Sequence, residues 1–182
     1  MNRRKISIVL SPLILAITIY VVYRSRNLFY FKLIKSHDIL HNIVLYCRQI
    51  AWRYRLYFPL WAVYSLPDGL WLMSLGLALL IDRVYFMLHF SIFTLVYLAM
   101  VSFEYIQKFY GGHGTFIGTY DKMDILFFTF GYILATIISV IVNRNIILNK
   151  ELKNTLTLKK EIIKSIKLII LFMILAGLPT LI

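Results

Sequence analysis

The stretch VYFMLHFSIFTLVYLAMVSF, Val84–Phe103, is twenty residues long and contains no Asp, Glu, Lys or Arg. A helix needs about 20 mostly apolar residues to cross the roughly 30 Å hydrocarbon core of a bilayer. Four further stretches are similarly apolar: Ile6–Tyr23 and Ile125–Val142 contain no charged residue, and Leu60–Ile81 and Ile166–Ile182 contain one each, Asp68 and Lys167. Because a membrane β-strand would need only about ten residues, these lengths predict helices. The sequence therefore predicts an all-α polytopic membrane helix bundle with about five spans.

The composition agrees with a membrane environment. Hydrophobic residues make up 60% of the chain and charged residues only 15%, against about 25% charged residues in soluble domains. The formal net charge is +12, from 20 Lys and Arg and 8 Asp and Glu. The basic residues are divided 11 to 9 between the two sides of the predicted bundle. We therefore expect them to contact lipid headgroups of the bilayer, and we expect no nucleic-acid partner.

The predicted spans give a single integral membrane domain, residues 1–182, with two interfacial segments at 24–59 and 143–165. The first segment is aromatic and basic, and is either a lipid-binding surface or an anchor for the bundle. We expect the second to be a solvated or headgroup-level helix. Lysines precede the last span and no charge follows it, which favours a cytoplasmic N-terminus. The oligomeric state is left open.

Four of the eight acidic residues are predicted to meet at one end of three helices. Asp68 opens the second span, Glu104 closes the third, and Asp121 and Asp124 open the fourth. Gln107 lies in the same connection as a neutral hydrogen-bond partner. Burying ionisable groups near a membrane costs several kcal/mol, roughly, unless they are paired, so such a cluster is a candidate site.

Each carboxylate also has a structural explanation. Asp68 follows a proline and is a candidate N-cap for a helix that starts near it. Glu104 lies four residues before Lys108, the favourable order for an ion pair on a helix. Asp121 and Asp124 are placed to accept the free N–H groups of a helix start. Both explanations stay open from the sequence alone.

The fourth span carries a stripe of small residues. Gly131, Ala135 and Ser139 repeat every four residues, a pattern that allows close helix–helix packing. Asp124 is seven residues before Gly131 and shares its face, so we expect its carboxylate to point into the bundle. His89, inside the third span, is predicted to be either a proton relay or a histidine bonded to a neighbouring helix.

Five polar and small positions of the third and fourth spans form a spaced pattern: Glu104, Gln107, Asp121, Asp124 and Gly131. The pattern resembles the core of the VanZ-like family of small bacterial integral membrane proteins, over about residues 60–142. Ser65–Leu70 is similar to the Pro-x-Gly helix opening of that family, whereas Gly118 and Phe128 stand where the family has Arg and Asn. The resemblance implies a plasma-membrane protein of the cell envelope. The family is associated with low-level resistance to the lipoglycopeptide teicoplanin, and its molecular mechanism is unknown.

Three functions follow as hypotheses. In the first, which we expect, the carboxylates engage a lipid headgroup, a lipid-linked envelope precursor or an amphiphilic antibiotic, without a cofactor and without catalysis. In the second, Glu104, Asp121 and Asp124 hold a divalent metal with His113 as base, and the protein is an enzyme acting on a lipid-linked substrate. In the third, the chain is a scaffold or accessory subunit of a membrane complex.

Overall fold

The computed structural model describes residues 3–24, 29–83, 85–112, 118–148 and 158–177, and all regular structure within them is helical. The all-α prediction is therefore confirmed. The helices are α1 (Arg3–Tyr23), α2 (Phe29–Lys35), α3 (Asp38–Arg53), a 3-10 turn (Arg55–Tyr57), α4 (Leu60–Tyr64), α5 (Leu66–Leu80), α6 (Phe86–Tyr110), α7 (Lys122–Leu148) and α8 (Leu158–Gly177). His113, the predicted base, lies outside the described residues.

Three helices of the described chain are long and apolar enough to cross a membrane: Arg3–Tyr23, Phe86–Tyr110 and Lys122–Asn143. The helix α5 is apolar but has only 15 residues, which is about 22 Å at the usual rise per residue. The helix α8 opens with charged residues. The structure thus establishes three candidate spans, and the predicted count of about five is met only in part.

The short helix α5 is the centre of the bundle. Ten of its fifteen residues are buried, and it contacts α1, α4, α6, α7 and α8. Glycines allow this close packing: a side chain on Gly69 would collide with the backbone of Phe127, and one on Gly76 would collide with the ring of Phe93. Because protein surrounds α5, its length need not match the bilayer.

The start of α5 differs from the prediction. We expected a helix from about Asp68, but α5 begins at Leu66 and includes Pro67 in its first turn. Proline is tolerated there because the first N–H groups of a helix have no intrahelical acceptor. Asp68 therefore lies inside the first turn and does not cap the helix.

The interfacial helix α3 closes the C-terminal end of α1. The last carbonyls of a helix lack intrahelical donors. Arg48 donates from Nη1 to the Val21 carbonyl at 2.6 Å and from Nη2 to the Arg24 carbonyl at 3.0 Å. Trp52 Nε1 donates to the Val22 carbonyl at 3.2 Å. The basic and aromatic residues of this segment thus have a structural role at the end of α1.

The other face of α3 is apolar and exposed. Four side chains form this stripe: Ile39, Ile43, Tyr46 and Ile50. Their spacing follows one face of a helix. An amphipathic helix of this kind is suited to lie in the plane of the membrane interface, which agrees with the predicted interfacial segment.

Candidate functional site

The structure brings three of the predicted carboxylates to one end of the bundle and places the fourth beside them. Asp68, Glu104 and Asp124 lie near enough to interact electrostatically. The backbone N–H of Asp121 lies 3.5 Å from Glu104 Oε2. We call these four residues the carboxylate end. They meet because α5 and α7 both start where α6 ends.

Asp121 is accounted for by helix capping. It directly precedes α7, and its Oδ1 accepts the backbone N–H of Met123 at 2.9 Å. Its Oδ2 lies 3.5 Å from the Ser65 hydroxyl, and the residue is exposed. This is the geometry of an N-cap aspartate. Asp124, one turn further on, is half-buried on the face of α7 that carries the small residues.

Asp68 is bound from α1. Its Oδ1 accepts the hydroxyl proton of Tyr20 at 2.7 Å, which links two helices 48 residues apart in the chain. The guanidinium of Arg24 also acts electrostatically on Asp68 and Asp124. The N-cap prediction for Asp68 is therefore wrong, since the carboxylate serves a contact between α1 and α5.

Glu104 is the most buried member of the carboxylate end, with 6% of its surface exposed. The predicted ion pair with Lys108 does not form in the described part of the chain. Lys108 instead lies 5.8 Å from the ring centre of Tyr120 and 6.0 Å from that of Phe109. Burial turns the Glu104 side chain towards the bundle and away from the surface on which Lys108 lies.

Glu104 also lines an apolar cavity of about 370 Å³. Helices α5, α6, α7 and α8 supply its walls, among them Trp71, Val96, Met100, Phe128 and Phe172. From Val96 to Glu104 the cavity follows eight residues of α6, which is about 12 Å along the helix. Among the lining residues that the structure describes, Glu104 is the one with a charged side chain. The arrangement suits an elongated apolar group that ends in a polar one.

Gln107 lies beside the connection between α6 and α7. A carbon added to Gly118 would be 3.3 Å from Gln107 Nε2, and Gly118 has a φ of +89°, which favours glycine. The Gln107 carbonyl accepts the N–H of Gly111 at 2.8 Å, at the end of α6. This predicted site residue therefore borders the turn that joins Glu104 to Asp121.

The small-residue stripe of α7 faces α5. A side chain on Gly131 would collide with the carbonyl oxygen of Gly69. Ala135 and Ser139 are completely buried. The close approach of the two helices fixes the start of α7, and hence Asp124, relative to Asp68.

The opposite end of the bundle holds a polar cluster that the sequence reasoning missed. We call it the paired end: Lys5, Asp82, Arg83, His89, Asn143, Glu161 and Lys164. Glu161, 3% exposed, accepts Arg83 Nη1 at 3.0 Å and Lys164 Nζ at 2.8 Å. The segment 143–165 was predicted to be a solvated or headgroup-level helix, and the first of these alternatives does not hold for Asn143, Glu161 and Ser165, which are buried. The spacing Glu161-x-x-Lys164, which places both side chains on one face of a helix, could have indicated one of these ion pairs.

Asn143 ties α7 to the end of α5. Its Nδ2 donates to the Leu80 carbonyl at 2.6 Å, and its Oδ1 accepts the Asp82 N–H at 2.9 Å. Asp82 has a φ of 60°, a conformation that Asp tolerates better than most residues. Its carboxylate forms an ion pair with Lys5 of α1. One amide and one ion pair thus hold three helices together.

His89 is fully buried and bonds its own helix. Its Nδ1 lies 2.8 Å from the Tyr85 carbonyl, which can only accept, so Nδ1 carries the proton. Its Nε2 lies 3.7 Å from Glu161 Oε2, beyond hydrogen-bond distance. The contact with Glu161 joins His89 to a neighbouring helix, α8, while its Nδ1 hydrogen bond goes to the carbonyl four residues earlier, at the start of its own helix.

Among the described residues, no group of three or more His, Cys, Asp or Glu is arranged to hold a metal ion. The predicted set of Glu104, Asp121 and Asp124 thus receives no geometric support, and His113 lies outside the described chain. Comparison of the chain with protein families, with curated proteins and with solved structures finds no match. The resemblance to VanZ-like proteins stays a prediction.

Proposed function

We propose that this protein binds an amphiphile in the membrane. The apolar part of the ligand occupies the cavity between α5, α6, α7 and α8, and a cationic or hydrogen-bond-donating headgroup contacts the carboxylate end. One observation carries the proposal: Glu104 is buried, lines an apolar cavity and lies within a group of other carboxylates. A buried carboxylate without a full complement of donors is costly unless a ligand supplies them.

The charge balance supports a cationic headgroup. In the part of the chain that the structure describes, no Lys or Arg forms an ion pair with a member of the carboxylate end. Arg24 is the basic residue that acts on this group. When they are ionised, three acids facing one arginine leave an excess of negative charge, which a bound cation would balance.

We also propose that α1, α5, α6, α7 and α8 all cross the bilayer, with the N-terminus in the cytoplasm of a bacterium. Contacts at the two ends support this arrangement, since Lys5 meets Asp82 at one end and Tyr20 meets Asp68 at the other. The carboxylate end then lies at the outer face. A lipid headgroup, a lipid-linked envelope precursor and an amphiphilic antibiotic all have the required chemistry. Phe128, which stands where the VanZ-like family has Asn, keeps the cavity wall apolar.

Binding of a matched set of single-chain probes tests the proposal. The purified protein in nonionic detergent is titrated with dodecylammonium, dodecanol and dodecanoate, which share a chain and differ in charge. We expect saturable binding of the cation, with weaker binding of the alcohol and the carboxylate. Glu104→Gln should weaken cation binding at least tenfold, which is about 1.4 kcal/mol, and should leave alcohol binding nearly unchanged.

Two control pairs separate the site from general effects. Asp38→Asn removes an exposed acid on α3, outside the cavity, and should leave binding intact. Ala99→Phe fills the cavity from α6 and should weaken every probe, whereas Leu98→Phe adds a ring to a neighbouring exposed position that does not line the cavity. Equal affinity for all three probes, unchanged by Glu104→Gln and Ala99→Phe, would refute the proposal.

A further inference from the structure

A second cavity, of about 660 Å³, lies at the C-terminal end of α1, between α3 and α4. Its lining is basic and aromatic: Tyr23, Arg24, Leu45, Arg48, Gln49, Trp52 and Tyr64. None of these residues is acidic, and none lines the cavity beside Glu104. We infer that this pocket binds the phosphate group of an anionic lipid headgroup. The pocket shares Arg24 with the carboxylate end, and its other lining residues take no part in the function proposed above.

Arg48 provides a fixed positive charge. Its two terminal nitrogens are held by the Val21 and Arg24 carbonyls, and its guanidinium lies 5.4 Å from the ring centre of Phe31 and 5.8 Å from that of Trp52. The end of a helix contributes only about half a negative charge. A full guanidinium charge is larger than this partial charge, so Arg48 contributes positive charge to the lining of the pocket.

Arg24 provides the donors. Its guanidinium lies 4.2 Å above the Tyr20 ring and 5.2 Å from the Tyr64 ring centre, and its Nη2 donates to the Tyr64 carbonyl at 2.9 Å. Its Nε is enclosed and donates to no acceptor in the described chain. A buried donor without an acceptor is unfavourable. The oxygens of a phosphate match the fork of donors on arginine.

The surroundings favour a lipid as the source of the phosphate. Trp52, Tyr23 and Tyr64 are residues that prefer the headgroup level of a bilayer. Exposed basic residues on the same segment, Lys32 and Arg53, attract an anionic membrane surface. The volume also exceeds that of a single phosphate, which leaves room for the remainder of a headgroup.

The test uses the full-length protein in nonionic detergent with two probes, dioctanoyl phosphatidylglycerol and inorganic phosphate. Binding is followed by phosphorus NMR and by native mass spectrometry. We expect saturable binding of the phospholipid. Gln49→Glu places a negative charge on the exposed lining of the pocket without touching either arginine, and should weaken binding at least tenfold. Asn42→Glu makes the same change of charge on exposed α3 outside the lining, and should change binding less than twofold.

The two probes distinguish the sources of phosphate. Binding of the phospholipid that millimolar inorganic phosphate does not displace supports a lipid site. Displacement by inorganic phosphate at similar affinity supports the phosphate pocket and overturns the lipid as its specific ligand. The inference fails if neither probe binds saturably, or if Gln49→Glu and Asn42→Glu weaken binding equally. Arg24→Gln, which keeps Arg48 and its contacts to α1, should give the same loss as Gln49→Glu.

Discussion

The two ends of the bundle differ in how their buried acidic side chains are compensated. At the paired end, Glu161 is bound by Arg83 and Lys164, and Asp82 is bound by Lys5. At the carboxylate end, Asp68, Glu104 and Asp124 act on one another, and they are compensated by two hydroxyl groups, one backbone N–H and a nearby arginine, with no ion pair in the described chain. Proteins keep unbalanced buried charge where function requires it and at some cost in stability. The paired end is therefore structural, and the carboxylate end is the candidate site.

The largest expected effect comes from breaking the Arg83–Glu161 pair. Removing one partner of a buried ion pair leaves the other charge uncompensated and costs about 3–5 kcal/mol. We expect Arg83→Gln to lower the free energy of unfolding towards the lower end of this range, because Lys164 remains bound to Glu161. Unfolding in detergent, followed by denaturant titration, measures the change. Lys159→Gln, an exposed change on α8, is the matched control, and equal losses for both variants would show that the pair is not structural.

The next largest effect is expected at Asn143, whose side-chain amide bonds the backbone at the C-terminal end of α5. Asn143→Leu preserves size but leaves the Leu80 carbonyl and the Asp82 N–H without their partner. Each unsatisfied buried group costs about 1–3 kcal/mol, so we expect a loss of about 2 kcal/mol or more.

Ser65→Ala is the comparison at the other end of the same helix. The Ser65 hydroxyl is buried, lies 3.5 Å from Asp121 Oδ2 and also donates to the Asp124 carboxylate. Removing this one donor should cost about 1 kcal/mol, less than the loss for Asn143→Leu. The same unfolding assay compares the variants. A larger loss for Ser65→Ala than for Asn143→Leu would reverse the assignment of the structural end.

A pH titration sharpens the comparison further. Burial acts to raise the pKa of Glu161, but the hydrogen bonds and charges of Lys164 and Arg83 outweigh it and hold the pKa below the ordinary 4.5. A carboxyl group whose pKa is lowered by folding stabilises the folded state fully above its unfolded pKa. That stabilisation is lost as the pH falls through the folded pKa.

We therefore expect wild-type stability to fall below about pH 4.5 more steeply than that of Glu161→Gln, which lacks this group. The difference between the two proteins isolates Glu161 from every other carboxylate. Thermal unfolding from pH 7 to pH 3 measures it. Parallel curves for the two proteins would contradict the proposed coupling.

The sequence predicted the carboxylate end because its residues stand at the ends of long apolar runs. Hydrophobic length fixes where α6 and α7 begin and end, so Glu104, Asp121 and Asp124 could be placed at one end without any knowledge of packing. The sequence also placed Asp68 at this end, but it did not indicate the partner of Asp68, Tyr20, which lies 48 residues away in the chain. No local pattern indicates such a contact.

The paired end could not be predicted for the same reason. Arg83 and Glu161 are 78 residues apart, and Asn143 and Leu80 are 63 apart. The polar stretch that contains Glu161 resembles any solvated helix, and only packing against α6 and α5 buries it. The short length of α5 likewise follows from its neighbours, because protein and not lipid surrounds it.

The smallest expected change in the free energy of unfolding is that of Glu104→Gln, and its sign is informative. Glu104→Gln removes a charge that acts against Asp68 and Asp124 while keeping the size of the side chain. Relief of this repulsion should leave the free energy of unfolding unchanged or raise it by about 1 kcal/mol or less, the size usual for partly screened charge pairs. Glu161→Gln should lower it in the same assay, because that carboxylate is bound by Arg83 and Lys164. If the free energy of unfolding at pH 7 rises for Glu104→Gln and falls for Glu161→Gln, the first carboxylate destabilises the fold, as expected of a functional site. The second then belongs to a structural ion pair. A loss for Glu104→Gln as large as that for Glu161→Gln would make both ends structural.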